Sequence, residues 1–345
     1  MEYGAIDLHA RRSQIRIVRE DGVAVLERRV DTSRDDLDRI FAQRPGMRIL
    51  IESSTDSEWV AQHLETRGHE VIVADPNYAA MYGSRSRKVK TDRRDAAALA
   101  EACRTGVYRR AHRASAAARE SRQRLRVRAH CVRQRTATIN LLRALLRADG
   151  LRLPRGSSER ILTRVDQLTL PPTLALVIAP LRDVIAQLHA TIAAADTAVE
   201  ARVALDPVAQ HLMTAPGVGP IIALACPAVL DTPTRFGGDP ARASAFLGLV
   251  PSEDSSAERR HRGSITKVGP GELRGLLVQA SWGIWRGRSL AGAALRTWAH
   301  ALAARRGRRI AIVALARRLS RILYAMWRDG TDFQMVTPMT TVVAR

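Results

Sequence analysis

Three apolar stretches rich in β-branched residues crowd the first thirty positions, before any helical spacing begins. They are residues 3–8, "QIRIVRE" and "VAVLERRV", the last two separated only by Asp21-Gly22. An Asp-Gly pair between two such runs specifies a tight hairpin, so three consecutive strands must pair antiparallel before the chain can do anything else. Thereafter the period changes. Thr32 or Ser33 can cap a helix across "RDDLDRIFAQ", "MRILIE" reads as a buried strand, "SEWVAQHLETRG" as a helix closed by Gly68, and "EVIVAD" as another strand. An alanine-rich helix opening near Asp92 follows.

The order strand, strand, strand, helix, strand, helix, strand, helix is that of the ribonuclease H-like fold. In that arrangement the acid of the first strand, Asp7, and the acid ending the fourth, Glu52, lie side by side at the centre of the sheet. Asp92 and Asp95 stand three apart at the start of the alanine-rich helix and so share one of its faces. Acids at a helix start often only complement its positive end. Four carboxylates converging, however, would repel one another unless cations lay between them. Two divalent ions about 4 Å apart would neutralise such a cluster and act on the attacking and leaving oxygens of a phosphodiester.

Charge narrows the partner. The net +21 is distributed in blocks: −4 over residues 1–84, +17 over 85–164, −6 over 165–258 and +14 over 259–345. Acids are missing from the same blocks that carry the arginines, which codon preference for arginine does not explain. A polyanion is the natural partner, because each neutralised phosphate releases counterions. Arg122, Arg126 and Arg133 lie in the first basic block, and Lys88 and Lys90 flank the aspartate pair; with Lys267 these are the only lysines among 55 basic residues. The three cysteines show neither disulfide nor metal-ligand spacing and read as buried small residues. No uninterrupted apolar run approaches the roughly 18 residues of a membrane-spanning helix. The start of the sequence also lacks a secretion-signal layout, so a cytoplasmic, nucleoid-associated protein with no membrane partner is expected.

Beyond residue 115, Leu125, Val132, Ile139, Leu142 and Leu146 recur at sevens, threes and fours. After the breaks at Pro154, Gly156 and Pro171-Pro172, a second series runs Leu174, Val177, Leu181, Val184, Leu188, Ile192, Ala195 and Val199. The spacing predicts two long helices of coiled-coil character, paired with each other or with a second subunit. Pro216-Gly217-Val218-Gly219 then suits either a helix-hairpin-helix turn, with Gly217 and Gly219 amides approaching a DNA phosphate, or a plain helix-helix turn. Ser255 and Ser256 precede Arg259, Arg260, His261 and Arg262. Serine-rich loops are usually solvated turns, although a cationic cluster could stabilise charge on a phosphate under attack.

Together these segments resemble one family over nearly the whole chain, the DEDD transposases of insertion-sequence family 110, which include the Piv-type DNA invertases. "GAIDLHARRSQIRIV", "LIESSTDSEWVAQHLETRGHEVIVADP" and "KTDRRDAAALAEAC" are similar to its acidic motifs. "APGVGPIIALA", "RFGGDPARASAFLGLVPSEDSSA" and "GSITKVGPGELRGLL" are similar to its C-terminal domain. Thr55, Ala257 and Pro270 depart from its usual pattern.

The resemblance implies a RuvC-like catalytic domain over 1–112, a basic antiparallel coiled-coil region over 113–206 and a mainly helical transposase domain over 207–345. It implies that Asp7, Glu52, Asp92 and Asp95 bind magnesium, with two ions per site, and that Ser256 attacks DNA. It further implies donor and target DNA, a noncoding guide RNA and a homo-oligomer, dimer or tetramer, as partners. Two other functions fit the residues: a metal-dependent RNase H-like or junction-resolving nuclease in which water attacks, and a catalytically inactive nucleic-acid-binding protein.

Overall fold

The computed structural model describes residues 1–83, 91–253 and 262–334. The chain forms two compact units, residues 1–113 and 114–345.

The first unit is a mixed α/β layer. Strands β1 (Glu2–Asp7), β2 (Arg12–Arg19) and β3 (Ala24–Asp31) form the antiparallel meander that the Asp21-Gly22 turn requires. Helix α1 (Arg34–Phe41) carries the chain to β4 (Arg48–Glu52), and α2 (Ser57–Glu65) to β5 (Glu70–Ala74). Both later strands join parallel to β1, giving the sheet order β3-β2-β1-β4-β5. Ser33, not Thr32, caps α1: its hydroxyl accepts the Asp36 amide at 3.2 Å, while the Thr32 hydroxyl donates to the His9 carbonyl.

Strand parity sorts the two faces. Ile6, Ile49, Ile51, Val71 and Val73 face one way and pack with Leu37 and Phe41 of α1 and Val60 and Leu64 of α2. Ala5, Leu50, Ile72 and Ala74 face the other way, against Leu99, Ala100, Ala102 and Cys103 of α3 (Asp92–Thr105). Alanine along α3 leaves little side chain between helix and sheet, so its backbone lies close to β1 and β2. Thr91 caps α3, accepting the Arg94 amide, and Gly106 in the left-handed region ends it.

The second unit is mostly helical. Helix α4 (Ala116–Ala148), a short α5 (Ile161–Asp166) and α6 (Pro172–Ala204) come first. Then follow α7 (Pro207–Met213), α8 (Pro220–Leu230), α9 (Pro240–Phe246), the strand pair β6 (Pro251–Glu253) and β7 (Arg262–Ile265), α10 (Gly271–Arg286), α11 (Ala293–Arg306) and α12 (Arg308–Asp329). Helices α4 and α6 run antiparallel, with Leu142 and Leu146 sharing a core with Leu174 and Ile178, and Arg128 paired with Asp196 nearer the other end.

The expected phase of α6 needs correcting. Val177 and Val184 are exposed, and their neighbours Ile178 and Ile185 are fully buried. Two apolar residues stand side by side at both places, so composition does not choose between them. Only the series Leu174, Ile178, Leu181, Ile185, Leu188, Ile192, Ala195, Val199 keeps alternating steps of four and three, which holds one stripe on its partner. Cys131 likewise is half-exposed on α4, whereas Cys103 and Cys226 are buried. By length and composition α6 is also apolar enough to cross a membrane, and 17% of that apolar stretch is buried.

The main core of this unit gathers α7, α8, α10 and α12 around Leu224, Leu277, Leu319 and Tyr324. Tyr324 is fully buried, and its hydroxyl donates to the Pro233 carbonyl. Replacing Tyr324→Phe keeps the ring and strips that donor from a partly buried carbonyl. Urea unfolding should show a loss of about 1–2 kcal/mol.

Candidate functional site

The parity that builds the sheet also builds the site. Ile6 pairs with Ile51 in the parallel ladder, so Asp7 and Glu52 are the next residues of adjacent strands. Asp7 follows Ala5, and Glu52 follows Leu50, by two residues, which puts both acids on the α3 face of the sheet. Asp92 and Asp95 occupy the first turn of α3 on that same face. Because Thr91 already supplies the cap, neither aspartate is needed for capping. Asp7 and Asp95 are buried, at 8% and 5% exposure, whereas Asp92 is half-buried.

Electrostatics bears on Asp7. Burial, opposed by His9 and reinforced by Asp95, Glu52 and Asp92, pushes its carboxyl up to about 6. Its Oδ2 atom is buried and makes no hydrogen bond among the described residues. A carboxylate oxygen withdrawn from water without a donor is costly unless a cation completes its environment. The donors therefore suit a divalent ion, which oxygen-rich sets of this kind hold.

Three residues at the site were not anticipated from sequence. His9 Nε2 lies 3.4 Å from Asp7 Oδ2 and 3.5 Å from Asp92 Oδ1, and among the described residues Asp7, His9 and Asp92 bring donor atoms within 4.8 Å of one another. Tyr82 donates its hydroxyl to Glu52 Oε1. Arg29 Nη2 stands 3.5 Å from Asp92 Oδ2. Beside them, His9, Arg11, Arg12, Arg29, Asp31 and Asp92 line a cleft of about 770 Å³. The signal for His9 was its place two residues after Asp7, since extended chain returns to the same face every second residue. Nothing local marks Tyr82 or Arg29, which arrive from other segments.

The remaining sequence candidates separate into groups. Lys88, Lys90, Ser255, Ser256, Arg259, Arg260 and His261 lie outside the described residues, as does the side chain of Arg262, whose backbone opens β7. Arg126 and Arg133 are exposed on α4. Arg122, on the same helix, is half-buried and hydrogen-bonds the Ala228 and Val229 carbonyls at the end of α8. Lys267 is exposed and holds a left-handed backbone, φ +55°. Gly217 packs against α10, where a Cβ would stand 2.9 Å from the Ala280 carbonyl oxygen, while Gly219 opens α8 with nothing within 4 Å. Of the two glycines, only Gly219 has room for an approaching backbone.

Comparison with known proteins covers both units. A transposase model of the DEDD, IS110 type matches residues 5–148, and the model described as "Transposase IS116/IS110/IS902 family" matches residues 209–305. The chain is 30% identical over 300 residues to a "Probable family 20 transposase" of Pseudomonas aeruginosa, covering 85% of this chain and 88% of that protein. It is 28% identical over 337 residues to the "Transposase for insertion sequence element IS1328" of Yersinia enterocolitica, covering 95% and 97%. With the "Transposase for insertion sequence element IS1111A" of Coxiella burnetii it shares 29% identity over 242 residues, 69% of this chain and 66% of that one. An acid site at the parallel strand ends, two family models and a relative aligned over most of both lengths agree: the chain belongs to the IS110 family of insertion-sequence transposases.

Proposed function

We propose that this transposase cuts and rejoins DNA through Ser256 as nucleophile, assisted by divalent ions, Mg²⁺ on a pair of positions, held by Asp7, Glu52, Asp92 and Asp95. On this reading residues 1–112 are a RuvC-like catalytic domain, residues 113–206 a basic coiled-coil region and residues 207–345 the serine-bearing transposase domain. The observation that carries it is the buried, hydrogen-bond-free Asp7 Oδ2 facing Asp92 at the ends of two parallel strands.

When bound, the ions supply charge neutralisation for the phosphate oxygens and for the oxygen that leaves. The protein's own groups do the rest. Tyr82 fixes one oxygen of Glu52, leaving the other to face the site, and Arg29 steadies Asp92. The Ser256 Oγ forms a bond to phosphorus as the bond to the leaving deoxyribose oxygen breaks, and the hydroxyl proton passes to that oxygen. One phosphoester replaces another, so a second hydroxyl can reverse the exchange and join new ends without an energy source. Water attack would forfeit that linkage.

Nucleic acid is held elsewhere by charge. Arg126 and Arg133 lie exposed on α4, and farther along Asn140, Arg143, Arg147, Arg152 and Arg155 surround a cleft of about 700 Å³. Arginine forks around a cleft suit phosphate oxygens, and shape and backbone are what a protein reads in duplex RNA. A noncoding guide RNA alongside donor and target DNA fits that surface, within a dimer or tetramer in the cytoplasm. Arg122 is not part of it, being tied to α8.

The test is a strand-exchange assay with DNA carrying the element's own ends, run on denaturing gels. Wild type should yield a protein-linked DNA and rejoined product, and Ser256→Ala neither. Hydrolysed ends with no adduct, or an adduct undiminished in Ser256→Ala, would overturn the serine assignment in favour of a water-using nuclease.

A further inference from the structure

The acidic site carries a nitrogen donor that an all-carboxylate magnesium site does not need. His9 Nε2 is placed almost equally from Asp7 Oδ2 and Asp92 Oδ1, at 3.4 and 3.5 Å. Ligand atoms about 2.1 Å from a shared ion lie roughly 3–4 Å apart, so these separations are already those of a common coordination sphere. Among the described residues Asp7 Oδ2 makes no hydrogen bond that would have to be given up, and Arg29 takes the opposite oxygen of Asp92. The backbone that carries the ring is also held. The His9 amide donates to Ser13 Oγ at 3.4 Å, and its carbonyl accepts from Thr32 Oγ1 at 2.7 Å, which fixes the backbone just past the end of β1.

We propose that His9 is itself a metal ligand, so that the position shared with Asp7 and Asp92 takes a first-row transition ion such as Mn²⁺ in preference to Mg²⁺. This rests on the reading of the four acids as a metal site, and refines it by giving one of the two positions a different donor set. Mg²⁺ prefers an all-oxygen octahedron and keeps its waters, whereas imidazole nitrogen raises affinity for transition ions along the Irving–Williams order. The half-exposed ring also leaves a solvent side open, where waters or a DNA phosphate oxygen would fill the sphere.

The experiment titrates the full chain with Mn²⁺ and with Mg²⁺ by calorimetry, and records pulsed electron paramagnetic resonance of the bound Mn²⁺ for coupling to a directly bonded nitrogen. Wild type should show the nitrogen coupling and bind Mn²⁺ more tightly than Mg²⁺. His9→Gln should lose the coupling and weaken Mn²⁺ by about tenfold or more, with Mg²⁺ changed by less than about threefold. Asp7→Asn should weaken both ions. If wild type shows no nitrogen coupling, or if His9→Gln binds Mn²⁺ as wild type does while Asp7→Asn does not, His9 is only an ion-pair partner and the metal site stands without it. If Asp7→Asn also binds as wild type does, the metal reading falls together with the inference.

Discussion

Asp7→Asn should abolish strand exchange and yet make the metal-free protein more stable at neutral pH. On the proposed metal reading, the loss of activity follows from removing the buried carboxylate. At several kcal/mol of transition-state stabilisation the rate should fall about a thousandfold or more. The gain in stability follows from the raised carboxyl. With its folded value near 6 and its ordinary value 3.8, Asp7 binds a proton more tightly folded than unfolded. That contribution is complete below pH 3.8 and is lost as pH rises through 6, so above 6 the wild-type fold carries a charged carboxylate it does not favour. Asparagine mimics the protonated form at every pH. In EDTA the variant should be more stable by on the order of 2 kcal/mol at pH 7.5, with the difference gone near pH 3.5. Adding divalent ions should reverse the ranking, since only the wild type gains from them. A variant less stable than wild type in EDTA at pH 7.5 would mean that Asp7 is satisfied by the protein alone.

The same residue shows how far sequence reading reaches. Asp7 and Glu52 could be placed on one face because strand parity is rigid: Ala5 and Leu50 pack on α3, so the acids two residues on must follow. Asp92 and Asp95 followed from helical spacing, and the hairpin at Asp21-Gly22 from turn chemistry. Local rules of period two and three sufficed for these elements, although His9, two residues after Asp7, carried the same signal and was passed over. They failed where the deciding partner was remote. The phase of α6 is a different case, since only the series through Ile178 alternates fours and threes and the pattern itself held the answer. Arg122 looked like a free cation in a basic run until the end of α8, more than a hundred residues later, brought two carbonyls to it. Tyr82 meets Glu52 only because the chain after β5 turns back over the strand ends. Arg122 and Tyr82 were missed because the groups that decide their roles lie far along the chain.

Gly269→Ala should be the most damaging single-methyl change in the second unit, at about 3 kcal/mol or more. Gly269 sits at φ +81°, where any Cβ is strained, and an added Cβ would stand 2.0 Å from the Phe246 carbonyl oxygen. That neighbour is backbone and cannot rotate away. Gly248 repeats the arrangement from the other side, its Cβ position lying 2.4 Å from the Val268 carbonyl oxygen. Between them the Lys267 amide donates to the Gly248 carbonyl, the Thr266 amide to Val250, and Arg274 to Leu247. Two glycines thus let the segments flanking β6 and β7 touch backbone to backbone, clamping the base of the hairpin whose connection carries Ser256. Alanine at 269 must pry that base open. Adduct formation should then fall even at temperatures where circular dichroism shows the helices intact. Gly219→Ala is the matched control: its Cβ meets nothing within 4 Å and its φ is −108°, so it should cost no more than about 1 kcal/mol, the helix-cap difference alone. If it nevertheless weakens DNA binding, the Gly219 amide approaches phosphate. Equal melting temperatures for Gly269→Ala and wild type would show that the base of the hairpin yields freely.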